Sequence, residues 1–221
     1  KCRHCFYWKE LNQKDQLKLE EIDKIFSKLG EIRDISLSGG EPILREDIIP
    51  IIDIICKYNK PKSISLPSNG IDSKRLFEIT SRLVNEYPNL KILINLSLDG
   101  PEKVHDNIRG IKGSHKKVVA SCKAITKLKK DYKNLYVNIN SVITNKNIKF
   151  LPNLMKFVRS NLDVDGHYFE IIRGDIKNKD FKILDYEELE KFYRLAIKNE
   201  EFYFEKKFKI GMVGLNLGKK V

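Results

Sequence analysis

Asp34-Ile35-Ser36-Leu37-Ser38-Gly39-Gly40-Glu41-Pro42 reads as a short apolar strand that stops on a glycine pair, a carboxylate and a proline. The stretch before it carries Ile22, Ile25, Phe26 and Leu29 at i, i+3, i+4 and i+7, which predicts a helix that Gly30 ends. The stretch after it carries Ile48, Ile51, Ile52 and Ile55 at helical spacing. A strand between two amphipathic helices, with its polar residues gathered at its end, is a βα unit.

The same unit recurs along the chain. Strands are predicted at Asp34–Leu37, Ser63–Leu66, Lys91–Leu98, Tyr136–Ile143 and His167–Ile172. Helical stripes fall between and after them. Leu76, Ile79 and Leu83 follow an N-capping Asp72, and Val118, Cys122 and Ile125 follow Ser114. Leu151, Leu154, Met155 and Val158 form the next stripe. Leu189, Phe192, Tyr193 and Ala196 follow Asp185, with Glu188 placed for a capping box. Strict alternation of strand and helix predicts an α/β fold on a parallel sheet or barrel. In such folds ligands sit at the C-terminal ends of the strands. The unusual polar and glycine residues gather there: Ser38–Glu41, Pro67–Gly70, Ser97–Gly100, then Asn138, Asn140 and Ser141, then Glu170 and Arg173.

A chain of 221 residues can bury one sizeable core. No apolar run approaches the roughly 18–20 residues that span a bilayer. The net charge of +12 is spread over helix faces and turns, as at Lys116-Lys117 and Lys129-Lys130, with no arginine-rich stripe, so nucleic acid is not the expected partner. Four cysteines without a dense framework point to a reducing, cytoplasmic compartment. Cys56 and Cys122 lie on helical stripes and read as small buried apolar residues.

Cys2-Arg3-His4-Cys5 is the remaining pair. Its two-residue spacing lets two thiolates reach one iron–sulfur cube. Alone it equally suits half a zinc site or a redox pair, so a zinc or redox module on an α/β scaffold is the rival reading. Gly39-Gly40-Glu41-Pro42 taken alone reads first as an ordinary βα turn fixed by Pro42; its other use is a ligand site, where the glycines would let backbone approach and Glu41 would accept from an ammonium.

Taken in order, Cys2-Arg3-His4-Cys5-Phe6-Tyr7-Trp8, Ser38–Pro42, Ser68-Asn69-Gly70 and Leu96-Ser97-Leu98-Asp99-Gly100-Pro101 with His105-Asp106 and Ile108-Arg109-Gly110 resemble the radical S-adenosylmethionine (radical SAM) enzymes. The resemblance runs over about residues 1–175 and is closest to the SPASM/twitch-like subgroup. It implies a partial (β/α)6 TIM-like barrel with a strand upstream of Lys1. In the family motif CxxxCxxC, Cys2 and Cys5 match the second and third cysteines, and the first would lie four residues before Cys2. The core domain is expected over residues 1–199, with 200–221, aromatic and basic and then glycine-rich, as an unassigned C-terminal segment.

Carried over by position, the resemblance implies that Cys2 and Cys5 ligate a [4Fe-4S] cluster. Gly39, Gly40 and Glu41 would receive the methionyl ammonium of S-adenosylmethionine, and the backbone near Phe6 would meet the adenine. Ser68 and Asn69 would lie beside the cofactor, Ser97 near its ribose, and Arg109 opposite its carboxylate. Asp99 either forms the turn before Gly100 or faces substrate as a catalytic acid. His105 and Asp106 would support that loop. The implied activity is reductive cleavage of the sulfonium C–S bond, giving a 5′-deoxyadenosyl radical that abstracts hydrogen from a peptide or protein side chain, or else from a small metabolite, lipid or cofactor precursor. An electron donor such as flavodoxin or ferredoxin would be a partner.

Overall fold

The computed structural model describes residues 2–10, 16–181 and 185–201. Five strands, β1 (Asp34–Ser36), β2 (Ser63–Ser68), β3 (Lys91–Ser97), β4 (Leu135–Ile143) and β5 (Gly166–Ile171), form one wholly parallel sheet in sequence order. No reversal of strand order occurs, so the sheet keeps curling one way into a half-barrel. The helices are α1 (Leu19–Phe26), α2 (Ile48–Asn59), α3 (Ser73–Glu86), α4 (Glu102–Arg109), α5 (Ser114–Thr126), α6 (Leu151–Asn161) and α7 (Tyr186–Glu201).

Burial alternates along the strands with period two, which separates the two faces of the sheet. The in-register rows Ile64–Ile92–Leu135 and Leu66–Ile94–Val137 are buried against the helices. Ile52 and Ile55 of α2, Leu76 and Leu83 of α3, Val118 and Ile125 of α5, and Leu151 and Leu154 of α6 close the same core. Each such side chain contributes about 1.5–3 kcal/mol by leaving water. The opposite, concave face is polar: Asn95 Nδ2 donates to Ser65 Oγ (2.6 Å) and Asn138 Nδ2 donates to Asn95 Oδ1 (2.9 Å).

All five predicted strands form. Asp72 caps α3 as expected, its Oδ1 accepting from the Arg75 amide at 3.0 Å. Two details differ. The first helix ends at Phe26 rather than running to Gly30: the amides of Lys28 and Leu29 turn back to the Ile25 and Phe26 carbonyls, and Leu29 keeps the spacing but lies 54% exposed. α4 was not anticipated, since its eight residues hold only Val104 and Ile108 as an apolar pair. At α7 the Asp185 side chain accepts from the Glu187 amide (2.8 Å), and Glu188 pairs with Lys149 (3.1 Å). Of the C-terminal segment 200–221, residues 202–221 lie outside the described residues. Among the described residues no helix is long and apolar enough to cross a membrane.

Candidate active site at the C-terminal rim of the sheet

Glu41 leaves β1 just before the 3-10 turn Pro42–Leu44. Its Oε2 accepts from the Asn69 amide at 2.7 Å, while Oε1 is buried with no partner. Burial pushes this carboxyl above its ordinary range, against the opposing pull of the Asn69 amide, Ser68 and the Arg109 charge. A buried acceptor left unmade costs about 1–3 kcal/mol, so Oε1 calls for a donor. Gly39 beside it has φ +141, and the space a Cβ would occupy is open to 4 Å. An orphaned carboxylate oxygen next to an open backbone cradle fits the ammonium of an amino-acid cofactor. Ser68 and Asn69, expected beside that cofactor, are turned to the protein. Ser68 Oγ accepts from the Gly70 amide (3.0 Å) and Asn69 Oδ1 from the Ile71 amide (2.8 Å), locking the turn that holds Glu41.

The cysteine loop is stitched to two distant elements. The Arg3 amide donates to the Ile108 carbonyl (2.9 Å) at the end of α4, and the Lys177 amide donates to the Cys5 carbonyl (3.0 Å) beyond β5. Cys2 and Cys5 are half-buried free thiols. His4 between them is buried, and burial brings its imidazole down to about 4. Phe6 is 51% exposed at the rim, with the Arg173 guanidinium 5.4 Å from its ring centre. Gly174 packs beneath it: a Cβ there would lie 2.9 Å from Phe6 Cβ.

Asp99 is fully buried. Oδ2 accepts from Arg109 Nε at 2.6 Å and Oδ1 from the Val142 amide at 3.0 Å. Its own amide donates to His105 Nδ1 (3.0 Å), and its carbonyl accepts from Asn147 Nδ2 (2.7 Å). Both oxygens are engaged within the protein, so the side chain anchors Arg109 rather than turning toward the open face. Burial alone would raise its pKa; the Arg109 charge, with His4, His105 and the Val142 amide, brings it down to about 2. Arg109 Nη1 reaches the Cys2 sulfur at 3.7 Å, so one guanidinium spans the acid and the cysteine. His105 supports the Asp99 loop through the Asp99 amide, whereas Asp106 holds the α4–α5 connection, accepting from the amides of Gly113 (2.5 Å) and His115 (2.9 Å).

Ser97 lies on the concave face, in register with Asn140 of β4, which in turn pairs with Tyr168 of β5. Asn140 Oδ1 is buried without a partner. Gly40 sits exposed at the rim after Gly39. The rim therefore gathers Cys2, His4, Glu41, Asp99 and Arg109, with Ser97 lower on the wall. Asn147, which anchors the Asp99 carbonyl, and the hydrogen bonds that link Ser65, Asn95 and Asn138 carry no spacing signal; the ladder is revealed by register across strands.

A model of the Radical SAM superfamily matches residues 1–157. The chain is 33% identical over 186 residues to a probable GTP 3′,8-cyclase of Methanocaldococcus jannaschii, covering 74% of this chain and 56% of that protein. It is 24% identical over 180 residues to a cysteine-type anaerobic sulfatase-maturating enzyme of Clostridium novyi, covering 72% and 44%. Among solved structures it shares the fold of anSMEcpe with bound AdoMet, with TM-score 0.72 at 21% identity over 95% of this chain and 59% of that one. Streptococcus suis SuiB bound to S-adenosylmethionine gives TM-score 0.71 at 19% identity, over 97% and 48%. The chain spans about half the length of the curated relatives it matches.

Proposed function

The chain belongs to the Radical SAM superfamily, and on that premise we propose that it is an S-adenosylmethionine-cleaving enzyme whose substrate is a peptide or protein side chain. The chemistry the [4Fe-4S] cluster and S-adenosylmethionine supply when bound is one-electron cleavage of the sulfonium C–S bond, followed by hydrogen abstraction from substrate. Cys2 and Cys5 would ligate iron. Glu41 Oε1 would accept from the methionyl ammonium, with Gly39 and Gly40 giving it room. Ser97 would meet the ribose, and the backbone at Phe6 the adenine. Arg109 stands near enough to Glu41 for its charge to be felt there, a place that suits the cofactor carboxylate. The polar concave wall would orient substrate, and the curled sheet would keep water from the reacting atoms.

The observation that carries the cofactor assignment is the buried, unpartnered Oε1 of Glu41. The test is anaerobic reconstitution of the natural full-length protein with iron and sulfide, reduction, and chromatographic measurement of 5′-deoxyadenosine. Equal iron and sulfide with cleavage of S-adenosylmethionine is the expected result. Zinc alone, without cleavage, would overturn it and restore the zinc-module reading.

For the substrate, the support is the uncharged middle of the wall. Ser65, Asn95, Ser97, Asn138, Asn140 and Tyr168 carry no charge there, Arg109 is held by Asp99, and the charged Glu170 and Arg173 stand beyond them at the end of β5, Arg173 against Phe6. Such a wall suits amide and hydroxyl groups better than a triphosphate, which calls for Arg or Lys donors. Fold neighbours also include anSMEcpe holding AdoMet and a peptide, and SuiB bound to its precursor peptide SuiA. A second reading, a nucleoside triphosphate substrate, draws on the identity to the probable GTP 3′,8-cyclase. Turnover with GTP but with no cysteine- or lysine-containing peptide would favour it. Reduced protein needs low-potential electrons, and a flavodoxin- or ferredoxin-type donor is the expected partner.

A further inference from the structure

Arg109 is held in a way that cofactor binding does not require. Its Nε is fixed on Asp99 Oδ2 at 2.6 Å, and Asp99 is itself fixed by Val142, His105 and Asn147, from β4, α4 and the loop after β4. The other end of the guanidinium lies 3.7 Å from the Cys2 sulfur, within hydrogen-bonding range for sulfur. The loop cannot drift from it, because the Arg3 amide is bonded to the Ile108 carbonyl, one residue before Arg109 (2.9 Å). The Asp99 and Arg109 side chains are 0% and 11% exposed, so solvent screens this contact little. His4 Nδ1, buried and unpartnered, the buried His105, whose Nδ1 lies 4.0 Å from Asp99 Oδ2, and the half-buried Glu41 are the other ionisable groups facing the pair. A permanent cation is thus clamped against one thiol of the CxxC and against no other described cysteine.

We infer that Arg109 is a positioning residue for Cys2 and sets how readily the cluster ligated there accepts an electron. The inference rests on the cluster-binding reading above. When a low-potential one-electron carrier delivers its electron, the added negative charge spreads over iron and sulfur, the Cys2 sulfur included. No bond forms or breaks, and no proton leaves Arg109. A fixed N–H donor and positive charge at that sulfur stabilise the reduced state, since hydrogen bonds and net charge at the sulfurs set cluster potentials. Asp99 serves this by denying the guanidinium any other direction, which makes the carboxylate structural and the arginine electrostatic.

The experiment is an EPR-monitored redox titration of the reconstituted full-length protein without S-adenosylmethionine, comparing wild type with Arg109→Gln. Reduction of the variant should be about tenfold less favourable, a midpoint about 59 mV more negative for one electron. A midpoint unmoved in Arg109→Gln, with only S-adenosylmethionine affinity reduced, would overturn the inference and leave Arg109 as a partner of the cofactor carboxylate. Because that variant can fail to fold, pulsed EPR on reduced wild-type protein carrying 15N-arginine provides an independent measurement. A 15N coupling in the absence of S-adenosylmethionine is expected, and its absence would overturn the inference. Failure of wild type to hold iron and sulfide at all would instead remove the cluster reading itself.

Discussion

The two oxygens of Glu41 have unlike surroundings, one on the Asn69 amide and one on nothing, and that asymmetry makes a quantitative prediction. Glu41→Gln keeps an acceptor at the site but removes its charge. A charged hydrogen bond exceeds a neutral one by about 1–1.5 kcal/mol, so S-adenosylmethionine affinity, read by equilibrium dialysis, should fall about tenfold. The fold should tolerate the change, since burial already disfavours the charged carboxyl. Unchanged affinity would place the ammonium elsewhere. At this scale the residues with a chemical identity of their own were legible in the sequence: Cys2, Cys5, Glu41 and Arg109 all stand at the rim. The contact of Asp99 with Arg109 was not legible, because an acid before Gly100 looks the same whether it turns the chain or anchors an arginine ten residues on. That the polar atoms of Ser68 and Asn69 close on their own backbone was not legible, since spacing along the chain does not show it.

Gly70 shows how elements are fitted at the β2–α3 connection. It sits at φ +64, and a Cβ there would lie 2.8 Å from Val118 Cγ2 and 3.1 Å from Val118 Cα of α5. Gly70→Ala therefore combines left-handed strain of about 1–2 kcal/mol with an overpacking cost of about 1–3 kcal/mol, to be read as a lowered thermal midpoint. A milder change on the same connection is Asp72→Ala. It removes the cap on the Arg75 amide and should cost about 1 kcal/mol in urea titration. Long stripes such as those of α2, α3 and α6 were readable because three or four apolar residues repeat on one face. α4 was not, because two apolar residues in eight make no stripe, and its place is set by the Asp99–Arg109 pair and by the clamp on the cysteine loop. The end of α1 was misread for the converse reason: Leu29 continues a period that packing does not use.

Stability of the whole molecule should depend on pH through histidines buried in their neutral form. Burial lowers His105 to about 4 and His167 to about 3, from an ordinary value near 6.5. Below that ordinary value the unfolded chain binds protons that the folded chain refuses, so stability falls as pH drops from about 6.5 toward 4. By pH 5 the loss is on the order of 2 kcal/mol for each histidine, visible as a falling urea midpoint between pH 7 and pH 5. Asp99 adds to the loss only at lower pH, as acid approaches its folded value of about 2. A flat profile from pH 7 to 5 would contradict the buried, neutral assignment. The stitching of the cysteine loop has a consequence in time as well as in space. Trp8 donates to the Asp175 carbonyl 167 residues away, beside the bonds that join Arg3 and Cys5 to residues 177 and 178. Contacts of such separation close late, because the intervening chain must be ordered first. During synthesis the cysteines emerge from the ribosome early yet stay unpinned until the segment past β5 has followed them out. On the reading proposed above, cluster loading would wait until residues 175–178 have been made.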